Sequence, residues 1–303
     1  MTNAGSTGIN FEDAHEISLR VSENSLQAAE NVYVDSVLTL MLPVIQSRFD
    51  FVLKGGTAIV KTHLYPYRFS YDLDFSYFAG VASRKHYRIY QKSLEDLITR
   101  MGFHIVGNET DKHREGGKIF ILRLVDGPGY FRMPIKLSIS SIDKEPCCAP
   151  LTKKFKPLFG VPEEPYGLLY PDVVDKLNSA DAKVLAIDEL CSEKIRALAT
   201  RGSGEEWSLI LRDAVDLHVM AAAGILNRVL SDTAGIECVK KKFLAIRNTS
   251  YWAKFHSFLI SDIRIRIGRE DAAIFIDKKI LDEKEISETV EKVRDVLKNI
   301  VKL

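Results

Sequence analysis

KGGTAIVKTHLYPYRFSYDLDF, residues 54–75, sets two adjacent glycines ahead of two aspartates that stand one residue apart. Just before it, DFVL is a short apolar strand that Gly55 and Gly56 break, and GTAIVKTHL is predicted to be a helix starting on those glycines. Beyond YPYRFS, the run YDLDFSYF alternates strictly, the period of a half-buried strand. That period sends Leu73 and Phe75 into a core and Asp72 and Asp74 to the opposite face. Like charges this close repel unless a cation sits between them. Mg²⁺ suits the position, because one or two carboxylates, waters and substrate phosphates satisfy it, and Mn²⁺ is a possible substitute.

The glycines supply the complementary half of such a site. Without Cβ atoms, Gly55 and Gly56 let backbone N–H groups approach a phosphate, and a glycine turn that opens a helix makes an anion cradle. Thr57 adds a hydroxyl in the first turn, and Arg68 and Ser70 are placed to hold phosphate oxygens. A Gly-Gly turn or an Asp-x-Asp strand is ordinary by itself. Strand, Gly-Gly-Thr, helix and then Arg-x-Ser-x-Asp-x-Asp on a second strand together specify a metal plus a nucleoside triphosphate. Tyr65, Tyr67, Phe69 and Tyr71 run beside these residues, either as lid and core packing or as a surface on which a base stacks.

Working outward, residues 11–48 read as helix from their apolar spacing and their Leu, Ala, Glu and Gln content. SRKHYRIYQKSLEDLITRMGF is amphipathic with Ser83 as its expected N-cap. KIFILRLVD, a GPG turn at 127–129 and MPIKLSISSID read as an antiparallel strand pair. Residues 147–181 contain five prolines and little periodicity, and are expected to be a linker. Then IDELCSEKIRALATR, EEWSLILRDAVDLHVMAAAG, ECVKKKFLAIR and SETVEKVRDVLKNIVKL all carry helical periodicity, with RGSGEE at 201–206 as a flexible joint.

Composition narrows the function classes. The chain has 303 residues, 46% hydrophobic and 27% charged, enough for one large core or two smaller ones. No apolar run approaches the roughly 20 residues of a membrane span, and MTNAGSTGINFEDAHE lacks the layout of a signal peptide, so a cytoplasmic location with no membrane association is expected. Cys147, Cys148, Cys191 and Cys238 show no C-x-x-C spacing and are expected as reduced thiols. The seven histidines form neither H-E-x-x-H nor a zinc spacing, and Walker A and G-x-S-x-G are absent. With a net charge of +1, a nucleic-acid partner must be met by a local patch, such as Lys153, Lys154 and Lys156, Lys240–Lys242, or Arg264, Arg266 and Arg269.

LKGGTAIVKTHLYPYRFSYDLDF closely resembles the first motif of the AbiEii/AbiGii toxin family, nucleotidyltransferases of type IV toxin and antitoxin pairs within the polymerase-β-like superfamily. DELCSEKIRAL resembles the family's helix with a Glu-Lys pair, here Glu193 and Lys194. RDAVDL resembles the Arg-Asp-x-x-Asp-Leu motif that follows, here Arg212, Asp213 and Asp216. The spacing puts Arg212, Asp213 and Asp216 near one helical face. A helical hairpin presenting Lys194 to β and γ phosphates, with an acid holding it, is one reading; an interhelical ion-pair cluster is the other.

The resemblance implies an α+β fold: a polymerase-β-like nucleotidyltransferase core, a short mixed sheet with flanking helices, plus a C-terminal helical domain. The expected boundaries are 1–48 for a helical segment packing on the core, 49–146 for the core, 147–181 for the linker and 182–303 for the helical domain. Activity is expected as NMP transfer from NTP to RNA, in particular tRNA, with Asp72 and Asp74 as metal ligands. Asp72, Asp74, Lys194, Asp213 and Asp216 are the catalytic set, and Gly55, Gly56, Thr57, Arg68, Ser70, Lys136 and Arg212 bind nucleotide. A cognate antitoxin is the implied partner. A protein hydroxyl or small molecule as acceptor, and a catalytically silent nucleotide-binding module, are the alternatives.

One departure stands out. The superfamily's third carboxylate falls on MPIKLSISSID, where Lys136, Ser138 and Ser140 share a face and the acid position reads Ser138. The base is then supplied elsewhere, by Asp143, Asp213 or Asp216, or the alignment is off, or catalysis is weakened.

Overall fold

The computed structural model describes residues 11–23, 29–77, 84–110, 118–124, 135–141, 146–159, 165–201, 207–245, 249–261 and 264–301. The chain divides into two compact units, one of residues 1–146 with 150–185 and one of 147–149 with 186–303.

The first unit opens with helices α1 (Phe11–Glu23) and α2 (Ala29–Gln46), within the stretch read as helical from its periodicity. Helix α2 is apolar nearly all round, and its Val34, Leu38, Met41 and Ile45 are buried. It is a core helix rather than a surface one. Strand β1 (Phe51–Lys54), all buried, runs into the short helix α3 (Gly55–Ala58), which continues as a π-helical turn over Ile59–His63. Strand β2 (Asp72–Tyr77), helix α4 (Arg84–Arg100) and strands β3 (Phe103–Thr110), β4 (Lys118–Leu124) and β5 (Ile135–Ser141) follow.

The segment expected as a linker is instead built into this unit. It carries strand β6 (Leu151–Lys154) and helices α5 (Tyr166–Leu169) and α6 (Pro171–Ser179), and leads into strand β7 (Asp181–Val184). Of its prolines, Pro165 lies in the turn before α5 and Pro171 in the first turn of α6, where a missing N–H costs nothing. The sheet therefore has seven strands in the order β3-β4-β5-β2-β1-β7-β6. It is mixed: β2 with β5 and β1 with β7 are parallel, and the other pairs antiparallel. The antiparallel pairing of β4 with β5 matches the sequence reading, whereas β3, β6 and β7 were not foreseen. The GPG turn, the Ser83 cap, Asp143 and residues 202–206 lie outside the described residues.

A buried ion pair ties α2 to the π turn. Lys61 Nζ meets the Asp35 carboxylate and lies 2.7 Å from Thr39 Oγ1 and 4.8 Å above the Phe155 ring. Leu158 N donates to Asp35 Oδ2 at 2.6 Å. Burial pushes the Asp35 carboxyl up and the Lys61 ammonium down, and each charge opposes the other's shift. Lys61 belongs to the core scaffold.

The second unit is helical: α7 (Ile187–Thr200), α8 (Trp207–Ala222), α9 (Ile225–Ser231), α10 (Thr233–Leu244), α11 (Thr249–Ile260) and α12 (Glu283–Ile300). Asp282 caps α12 by accepting from Lys284 N and Glu285 N, and Ile286, Val290, Val293 and Leu297 form its buried stripe. No helix among the described residues is long and apolar enough to cross a membrane.

Candidate active site

The alternation read from YDLDFSYF is present: Leu73 and Phe75 are fully buried, and Asp72 and Asp74 are half-exposed on the other face. Both carboxylates are held by hydroxyl donors. Ser70 Oγ donates to Asp72 Oδ1 at 3.0 Å, and Thr57 Oγ1 lies 2.8 Å from Ser70 Oγ and 2.5 Å from the Asp72 carbonyl oxygen. Thr57 and Ser70, expected at phosphate, thus orient the first aspartate. Ser138 Oγ donates to Asp74 Oδ1. In the parallel register Asp72 faces Lys136 and Asp74 faces Ser138, so Ser138 stands beside the acid pair as the alignment proposed. Lys136 is exposed next to Asp72.

The two glycines act through the space they leave. Gly55 has φ +72°, and a Cβ there would lie 2.5 Å from Asp74 Oδ2. A Cβ on Gly56 would run into the Arg68 guanidinium and lie 3.1 Å from Ser70 Oγ. Arg68 is 2% exposed and its Nη1 donates to the Phe69 carbonyl at 2.8 Å, so its guanidinium is packed over Gly56 rather than open to solvent. Of the aromatic run, Tyr67 and Phe69 are core residues, whereas Tyr65 is exposed and Tyr71 half-exposed. A cleft of about 420 Å³ between Phe49 and α4, lined by Arg48, Tyr90 and Arg100, contains none of these residues.

In the second unit, α7 and α8 bring Lys194 between two aspartates, 2.6 Å from Asp213 Oδ1 and 2.7 Å from Asp216 Oδ2. Arg201 Nε lies 2.6 Å from Asp213 Oδ2. Asp213 and Asp216 are buried, so they act as charge partners of Lys194 and not as open proton acceptors. Arg201 was missed, although it lies two helical turns after Lys194 and so on the same face. Arg212 is half-exposed, and its Nε donates to the Ser208 carbonyl at 3.3 Å. Glu193 turns to α10, where Lys242 Nζ lies 3.2 Å from it and 2.6 Å from Glu189. Burial lowers the Lys242 pKa, but Glu193 and Glu189 outweigh it and hold the ammonium above its usual range.

The basic runs divide on folding. Lys242 is turned inward, Lys240 pairs with Glu237 at 2.8 Å and Lys154 with Asp181 at 3.1 Å. Arg264, Arg266 and Arg269 are exposed. The four cysteines are free thiols.

A family model described as nucleotidyl transferase AbiEii toxin, type IV TA system, matches residues 39–298. Among solved structures, MenT4, a nucleotidyltransferase toxin from Mycobacterium tuberculosis H37Rv, superposes with a TM-score of 0.53 at 17% identity, covering 96% of this chain and 90% of its own. JHP933 from Helicobacter pylori has a TM-score of 0.43 at 14% identity, over 90% of this chain and 93% of its own. No curated protein sequence matches.

Proposed function

The chain belongs to the AbiEii family of type IV toxin–antitoxin nucleotidyltransferase toxins, and from that premise we propose that it transfers NMP from a nucleoside triphosphate to an RNA acceptor, in particular tRNA, and so blocks translation. The observation that carries this reading is the pair Asp72 and Asp74, half-exposed on one strand face and each fixed by a hydroxyl donor. Every donor gathered there is oxygen: two carboxylates and the hydroxyls of Thr57, Ser70 and Ser138. That set fits Mg²⁺ or Mn²⁺ and not a soft metal.

Asp72 and Asp74 would hold the divalent ion. When bound, such an ion supplies charge neutralisation at the triphosphate and sharpens the attacking oxygen. The rest falls to the chain. Ser70 with Thr57, and Ser138, keep the two carboxylates aimed at one point, which is the preorganisation that makes electrostatic catalysis effective. Gly55 and Gly56 leave room for the Asp74 carboxylate and the Arg68 guanidinium to close on the turn, and Lys136 adds positive charge at the exposed edge beside Asp72. The acceptor hydroxyl oxygen releases its proton to solvent and bonds to the α-phosphorus, the bond from that phosphorus to the α–β bridging oxygen breaks, and pyrophosphate leaves. Arg68 packs over Gly56 and braces the turn, and the family motif implies a phosphate-binding role for Lys194 and Arg212, with Asp213 and Asp216 as the buried acids that hold Lys194. A cognate antitoxin would be the partner that restrains this activity.

The test is incubation with Mg²⁺, total tRNA and each α-labelled nucleoside triphosphate, beside an Asp72→Ala, Asp74→Ala double variant. Label on tRNA with the unaltered chain only is the expected result and names the nucleotide. Triphosphate binding without label on any RNA would overturn the RNA acceptor and move the reading to a protein hydroxyl, a small molecule, or a silent module, the last of which Ser138 at the acid position would favour.

A further inference from the structure

The sheet face that carries the aspartates changes by rows. Val52, Ser76 and Ser140 form one row across β1, β2 and β5, and all three are buried. Lys54, Asp74 and Ser138 form the next, and Asp72 with Lys136 the outermost. Lys54 starts on β1, yet its Nζ donates to Ser140 Oγ on β5 at 2.7 Å. Since β2 lies between those strands, the lysine stem crosses β2 between Asp74 and Ser76. Its ammonium therefore ends on the buried row, beneath the carboxylate pair, and Lys54 is only 3% exposed. A buried ammonium is costly unless an anion is near. The carboxylate on its own cross-strand partner is that of Asp74.

Resting on the nucleotidyltransferase reading, we propose that Lys54 is a positioning residue, a built-in counter-cation beneath Asp72 and Asp74. With Lys54 beneath them and Lys136 exposed beside Asp72, the two carboxylates carry little net negative charge. The acid pair then stays assembled without metal but holds a divalent ion weakly, so the ion enters with the triphosphate that carries it. Ser138 completes the arrangement by holding Asp74 with a neutral donor where a third carboxylate would have raised the negative charge.

Mn²⁺ alone, titrated into the full chain and followed by the electron paramagnetic resonance of the free ion, tests this. Lys54→Met and Lys54→Gln are expected to bind Mn²⁺ about tenfold more tightly than the unaltered chain, as expected for removing a unit charge at short range behind partial screening. Lys54→Arg stays within about twofold. Simple damage to the site would weaken binding, so the direction separates a charge role from a merely structural one. Neutral variants that bind Mn²⁺ no more tightly overturn the proposal. Thermal melts supply a second reading that holds even where a neutral variant folds poorly. Lys54→Met with Asp74→Asn should be more stable than Lys54→Met alone, and a double variant no better than the single one also overturns it. Asp72→Asn is the control for the underlying reading: if it binds Mn²⁺ as the unaltered chain does, the metal site itself is wrong, whatever Lys54 does.

Discussion

Ser138 stands opposite Asp74 in the parallel pairing of β5 with β2, and its hydroxyl donates to the aspartate's Oδ1. A hydroxyl bonded to a charged acceptor stabilises one carboxylate orientation by about 1.5–3 kcal/mol. Ser138→Ala is therefore expected to lower kcat at least about tenfold with little change in KM for the triphosphate, read by steady-state labelling of RNA. Unchanged kcat would mean that Asp74 is oriented by other contacts.

Gly55 combines a left-handed backbone with a close approach to Asp74 Oδ2. Gly55→Ala meets both the φ penalty of about 1–2 kcal/mol and a displaced carboxylate. The expected outcome is a lower midpoint in urea together with loss of Mn²⁺ binding. A variant that binds Mn²⁺ normally would show that Asp74 can move aside without harm.

Lys194 is the shared cation of Asp213 and Asp216, the latter fully buried. Removing one partner of a buried ion pair leaves an uncompensated charge and costs about 3–5 kcal/mol. Lys194→Ala should destabilise the helical unit by that order in chemical denaturation. Lys194→Met with Asp216→Leu should recover part of the loss, because the fully buried Asp216 charge is gone and Asp213 keeps Arg201 as a partner. If Lys194→Ala is as stable as the unaltered chain, the lysine's place is set by function alone.

The thiols should differ in reactivity with pH. A hydrogen bond from Cys238, with help from Lys242 and Lys241 against burial, pulls the half-exposed Cys147 thiol down to about 7, whereas burial pushes Cys191 up. The thiolate is the nucleophile, so Cys147 becomes reactive as pH rises through that value and is protected below it. Iodoacetamide followed by peptide mass spectrometry should label Cys147 with a midpoint near pH 7 and leave Cys191 unlabelled in the native chain. A Cys147 midpoint near 9 would remove the Cys238 interaction from the account.

The sequence alone determined what depends on local periodicity. Alternation at Asp72–Phe75 put both aspartates on one face, the glycines ended β1 and opened a helix, and apolar spacing at 3.6 residues marked α7, α8, α10 and α12. Matching the family's first motif gave the nucleotidyltransferase reading from the same residues. What lay beyond reach depends on partners far apart in the chain. Strand β6 is an edge strand, exposed at three of its four residues, so it has no alternating signal, and only pairing with β7 makes it a strand. Arg68 looked like an open phosphate clamp because its spacing cannot reveal that Gly56 leaves a hole for its guanidinium. Register across β1, β2 and β5 placed Lys54 beneath the carboxylates and Ser138 beside Asp74, and the packing of α8 on α7 gave Lys194 its two aspartates. Burying a charge obliges the fold to find it a partner, and only the tertiary structure names that partner.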